Sequence, residues 1–127
     1  MKRGKLLNAE LSGLVASMGH GDLIVVGDAG LPVPPGVACI DLAVTGGVPG
    51  LFDVLDALLA ELVVERSAIA EEASAKLSAD FRRRDIGTVE TITHEEFKRI
   101  SGDARAIVRT GEFTPYANIC LWSGVAF

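Results

Sequence analysis

Residues Leu23-Ile24-Val25-Val26 form a continuous apolar run with polar groups only at its two ends, His20 and Asp22 before it and Asp28 after it. A strand with one face in water alternates apolar and polar side chains. A short unbroken run instead suits a strand buried on both faces, as in a parallel sheet covered by helices. In open parallel sheets, ligands collect outside the carboxyl ends of the strands. Asp28, in the turn Gly27-Asp28-Ala29-Gly30, therefore stands where a ligand is expected.

The rest of the chain supplies the layers such a strand needs. Leu11, Leu14, Val15 and Met18 follow the i, i+3, i+4, i+7 spacing of one helical face, with Asn8 as N-cap and Gly19 as the stop. This predicts a helix over 9–18 and leaves His20 beyond it, between two glycines and poorly shielded. The stretch 37–44 predicts a second strand interrupted by Asp41. Over 50–62 the apolar residues cover most of a helix circumference, which predicts a heavily buried helix with Pro49 near its start. The pattern then predicts a strand over 63–70 interrupted by Glu65, a polar helix over 71–84 and a strand over 88–93. Thr93-His94-Glu95-Glu96 matches a capping box opening a helix over 94–100. Strands over 104–109 and 118–122 complete the chain. Strands alternating with helices predict a single α/β domain across 1–127, a layered and largely parallel sheet with flanking helices.

The chain of 127 residues carries a net charge of −5, which argues against a nucleic-acid groove. Its one basic cluster, Arg82-Arg83-Arg84, reads as a solvated helix end. No apolar run reaches the length of a membrane span, and the basic start MKRGKLLNAE lacks the apolar segment of a signal peptide. Cys39 and Cys120 both lie in apolar strand-like runs and read as small buried hydrophobes of a reduced, cytoplasmic protein. No metal-ligand spacing, dinucleotide or phosphate loop, or nucleophile elbow is present.

Two histidines, one aspartate after a strand and a Tyr116-Ala117-Asn118 stretch leading into a strand remain as candidates. Each also has a plain structural reading: His20 as a surface loop residue, Asp28 as a turn-former, His94 as a first-turn helix residue, Tyr116 as a packed ring. Asn118 is the hardest to read this way, because an amide opening an apolar strand must find partners. The residues alone reach a site for a small polar ligand, with acid–base chemistry open.

The stretches LNAELSGLVASMGHGDLIVVGDAGLPVP, IDLAVTGGVP, AIAEE, THEEFK and VRTGEFTPYANICLWSGV run in this order along nearly the whole chain. With them the sequence resembles the D-ribose pyranase family, sugar mutarotases related to fucose mutarotase. The segment around 74–87 is shorter than in many members. The resemblance implies interconversion of the pyranose and furanose forms of free ribose without cofactor or metal. It also implies assembly into rings, commonly decamers, with the sugar between adjacent subunits. Carried over by position, His20 would be the proton donor, Asp28 would bind sugar and orient the histidine, and His94, Tyr116 and Asn118 would bind sugar hydroxyls. One acid–base group contributing about 10²–10⁴-fold suffices for a ring opening that already proceeds in water, and histidine titrates in the right range. A related sugar such as fucose, and a non-catalytic sugar-binding role, are the alternatives.

A strand separates His20 from Asp28, and strand residues advance about 3.3 Å each. Either the Gly-His-Gly segment folds back along the sheet, or the two residues serve a site from different directions at a subunit interface.

Overall fold

The computed structural model describes residues 1–127. Six strands form one sheet in the order β2-β5-β1-β6-β3-β4. They are β1 (Leu23–Gly27), β2 (Ala38–Asp41), β3 (Val64–Ala70), β4 (Thr88–Ile92), β5 (Ala106–Arg109) and β6 (Ile119–Ser123). Strands β2, β5 and β1 pair in parallel, as do β3 and β4, whereas β6 runs antiparallel between β1 and β3. The largely parallel layered sheet expected from the sequence is present, with β6 as the one reversed strand.

The continuous run of β1 is buried along its full length. Ile24 and Val26 face a core made with helices α1 (Ala9–Ser17), α2 (Leu51–Leu59) and α3 (Ala75–Arg82), through Leu11, Leu51, Leu55, Leu58 and Phe81. Leu23 and Val25 face the opposite side, covered by Phe97 of α4 (His94–Ile100) and by Leu31. The strand is thus sandwiched between helical layers, the arrangement that makes alternation unnecessary.

The helix starts follow their caps. The Asn8 side chain accepts the Leu11 N–H, Ser74 accepts that of Leu77, and Thr93 accepts that of Glu96. The reciprocal half of the expected capping box is absent: the Glu96 carboxylate turns to Arg99, one turn on. Helix α2 is shorter than 50–62, since Leu62 lies past a turn at Ala60 and Glu61 although it is buried in the same core. The segment 71–84 holds a helix only from Ala75 on, because Ser74 caps it there.

Three expectations are corrected. Strand β2 ends at Asp41, not at Val44, because the Asp41 side chain accepts the Ala43 N–H and binds Arg109, turning the chain away from the sheet. Cys39 is exposed: β2 is an edge strand with β5 as its one neighbour. Only Cys120, in the middle of β6, is buried, and burial pushes its thiol far above the ordinary range. Arg84 is not a solvated helix end; its guanidinium lies 4.0 Å above the Phe52 ring and pairs with Asp56, tying α3 to α2.

Candidate functional site

The chain reversal at β6 brings residues together that are distant in sequence. Because β6 is antiparallel to β1 and β3, its start lies at the same edge as the carboxyl ends of the parallel strands. Asp28 follows β1 there, His94 follows β4 and Asn118 precedes β6.

The contacts at this edge are specific. The Asn118 side-chain oxygen accepts the Asp28 N–H at 2.8 Å, and Asp28 Oδ1 accepts the Gly30 N–H at 2.9 Å. Asp28 is therefore the turn-former its sequence position allowed. The His94 ring packs edge-on against Tyr116, with centroids 5.2 Å apart and planes at 80°, and lies 6.3 Å from the Phe97 ring. The His94 N–H is held by both carboxylate oxygens of Glu72, at 2.8 and 3.1 Å. Tyr116 adopts φ 60°, a left-handed conformation that costs a non-glycine residue about 1–3 kcal/mol and persists where surrounding structure enforces it.

Two buried polar atoms at this edge have no partner within the chain: Asn118 Nδ2 and His94 Nδ1. Buried polar groups are nearly always hydrogen-bonded. An unpartnered amide donor and an unpartnered imidazole nitrogen are what a polar ligand would satisfy. Next to Asp28 opens a cavity of about 380 Å³ lined by Asp28, Gly30, Glu112, Phe113, Thr114 and Pro115. Burial pushes the Glu112 carboxyl up, but the N–H groups of Leu51, Thr114 and Phe113 and the Thr114 hydroxyl bind it, leaving it below the usual carboxylate range.

His20 is elsewhere. It lies at the opposite edge of the sheet, before β1 and beside the end of β6. Its loop is closely pinned: the Gly21 N–H donates to the Ser123 carbonyl at 2.8 Å, and Asp22 accepts the Gly19 N–H at 2.9 Å and the Arg105 guanidinium at 2.7 Å. The Gly-His-Gly segment does not fold back along the sheet. The five residues of β1 lie between His20 and Asp28, about 17 Å of strand. The His20 side chain is 62% exposed, with Nε2 at 2.7 Å from a carboxylate oxygen of Glu65. His20 also lines a second cavity, of about 310 Å³, together with Val15, Met18, Leu62, Val63, Val125 and Phe127.

The structure thus gathers Asp28, His94, Tyr116 and Asn118 at one edge and leaves His20 at the other. Sequence reasoning passed over Glu65, Glu72 and Glu112. Glu65 did leave a trace, as the one polar interruption noted in an otherwise strand-like segment.

An α/β sheet whose carboxyl edge carries a polar cavity and, along the same edge, two unpartnered buried polar atoms has the features of a protein that takes a small polar ligand. More particularly, the chain belongs to the RbsD / FucU transport protein family, whose model matches residues 1–126. It is 53% identical to the D-ribose pyranase of Paracidovorax citrulli and 52% identical to that of Pseudomonas putida, each over 100% of both chains. Among solved structures it resembles Bacillus subtilis RbsD complexed with D-ribose, at a TM-score of 0.92 and 45% identity over 100% of both chains. It also resembles the fucose mutarotase of Streptococcus pneumoniae in complex with L-fucose, at a TM-score of 0.83 and 28% identity over 100% of both chains.

Proposed function

We propose that this chain is a cofactor-independent isomerase that interconverts the pyranose and furanose forms of D-ribose. The observation that carries the reading is a pair of buried, unpartnered atoms at the carboxyl edge of the sheet, Asn118 Nδ2 next to the Asp28 turn and His94 Nδ1 next to Tyr116. Sugar hydroxyls both donate and accept, so a sugar offers partners to a donor such as Asn118 Nδ2 and to either state of an imidazole nitrogen. Full-length identity above 50% to proteins named D-ribose pyranase supports ribose as the sugar. The weaker likeness to a fucose mutarotase keeps fucose as the second reading.

In this reading His20 is the acid–base group. The anomeric hydroxyl loses a proton, the ring C–O bond breaks, and the ring oxygen gains a proton. Another hydroxyl then attacks the aldehyde. Asp28, Tyr116, Asn118 and His94 hold the sugar while this happens. His20 lies at the far edge from those four residues, which supports a site shared between two copies of the chain, the amino edge of one meeting the carboxyl edge of the next. Such a contact joins two different surfaces and generates a ring when its rotation closes, here a homodecamer built of such rings. Exposed Val63, Val125 and Phe127 near His20, and Val44, Val48 and Phe113 around the opposite edge, suit that contact. The reading places the enzyme in the cytoplasm, supplying furanose to a sugar kinase. Free thiols at Cys39 and Cys120 fit that compartment, and no helix is long and apolar enough to cross a membrane.

The test is saturation-transfer NMR on ribose. Wild type should accelerate pyranose–furanose exchange and His20→Ala should abolish the acceleration. Acceleration with fucose but not ribose would move the substrate. Undiminished exchange with His20→Ala would refute the acid–base assignment, and no acceleration with any sugar would leave a binding protein.

A further inference from the structure

We infer that Glu65 is the positioning residue for His20, selecting the tautomer in which Nε2 carries the proton and Nδ1 faces the reacting sugar. The inference rests on the reading of His20 as the acid–base group.

Glu65 stands at 2.7 Å from His20 Nε2, 45 residues away in sequence. An ionised carboxylate only accepts, so the neutral ring must offer it Nε2–H, which leaves the lone pair on Nδ1. The placement of Glu65 is built into the sheet. The register between β3 and β6 shifts between Val64 and Arg66, and an irregularity of this kind re-aims the side chain it carries. The backbone there is clamped from both sides. At Gly87, with φ +66°, a Cβ would fall 2.2 Å from the Glu65 carbonyl oxygen, and at Gly124 one would fall 3.3 Å from Glu65 Cβ. Two glycines therefore let neighbouring segments close on Glu65 and aim its carboxylate at the histidine.

Within the single chain the pair is exposed, its side chains at 62% and 42%, so it contributes little to the stability of that chain's own fold. Its consequence is orientation. Nδ1 takes the proton of the anomeric hydroxyl as the ring C–O bond breaks, and the imidazolium returns that proton to the ring oxygen. Reclosure reverses the sequence with another hydroxyl as nucleophile. No proton is gained or lost overall. The Glu65 carboxylate faces the ring's transient positive charge and keeps the ring from rotating. This is the part that a buried aspartate plays behind a catalytic histidine elsewhere.

Nitrogen-15 NMR of the full-length protein should report the Nε2–H tautomer for His20, and Glu65→Ala should convert it to a mixture. In the exchange assay Glu65→Ala should lower kcat about 10–100-fold, taking as scale the loss seen when the outer hydrogen bond of a metal-bound histidine is removed, with KM and melting temperature unchanged. Glu65→Gln, whose amide oxygen still accepts Nε2–H, should recover part of the loss. An Nδ1–H tautomer in wild type, or a wild-type kcat in Glu65→Ala while His20→Ala is inactive, overturns the inference. An inactive wild type, or an active His20→Ala, overturns the functional reading, and the inference falls with it.

Discussion

The Asn118 side-chain oxygen accepts the Asp28 N–H at 2.8 Å, so a residue at the start of β6 fixes the turn that follows β1. The same amide leaves its nitrogen buried and unpartnered. One side chain thus shapes the Asp28 turn through its oxygen while its nitrogen has no partner within the chain.

This contact depends on Gly27. A Cβ there would lie 2.8 Å from Asn118 Oδ1 and 2.5 Å from Leu31 Cδ2. Gly27→Ala should therefore displace both, costing about 1–3 kcal/mol as overpacking does. Urea denaturation should show the destabilisation. The exchange assay should show a raised KM for ribose, because Asn118 Nδ2 moves with its oxygen. Wild-type KM in this variant would mean that Asn118 does not bind the sugar.

The proposed sharing of the site between copies can be tested by complementation. His20→Ala and Asp28→Asn should each be inactive alone. Unfolded together in equal amounts and refolded, they should regain about a quarter of wild-type exchange, since a contact between two different surfaces pairs an intact His20 with an intact Asp28 in one arrangement of four. A mixture as inactive as its parents would argue for a site within one chain.

The loop that carries His20 should also set an acid limit. The Gly19 N–H, and after it the Arg105 guanidinium, hold the Asp22 carboxyl below the usual carboxylate range. Asp41, Asp80, Glu95 and Glu96 are lowered as well, each first by a basic side chain hydrogen-bonded to it. A carboxyl with a folded pKa below its unfolded value, about 3.9 for Asp, contributes stability above that unfolded value and loses the contribution as pH falls through the folded one. Stability should therefore decline below about pH 4. Asp22→Asn should be less stable than wild type at pH 7, and the gap should narrow at pH 3. An equal gap at both pH values, measured by urea denaturation, would show that the carboxylate charge contributes nothing.

Features legible in the sequence were those governed by near neighbours. The unbroken run at Leu23–Val26 announced a strand buried on both faces, and it is buried throughout. Asn8 and Thr93 cap the helices that they were expected to cap. The expectation for Cys39 failed because an apolar run says that a segment forms a strand but not whether the strand lies at an edge. Glu96 failed as a capping partner because Arg99, three residues on, offers a charged bond. The position of Asp28 at the carboxyl end of a parallel strand was readable from the strand that precedes it. The partner of His20 was not, since Glu65 reaches it only through the pairing of β3 with β6.

Local pattern in the chain is enough to set the strands and helices, most of their ends to within a residue, and the candidate polar residues beside them. Tertiary structure alone decided that β6 enters the sheet reversed between β1 and β3. That choice sets Asn118 beside Asp28 and Ser123 beside the His20 loop. Hydrophobic periodicity reports which faces of a segment are buried, whereas strand partner and direction follow from the packing of the whole core, summed over residues as far apart as Val25 and Cys120.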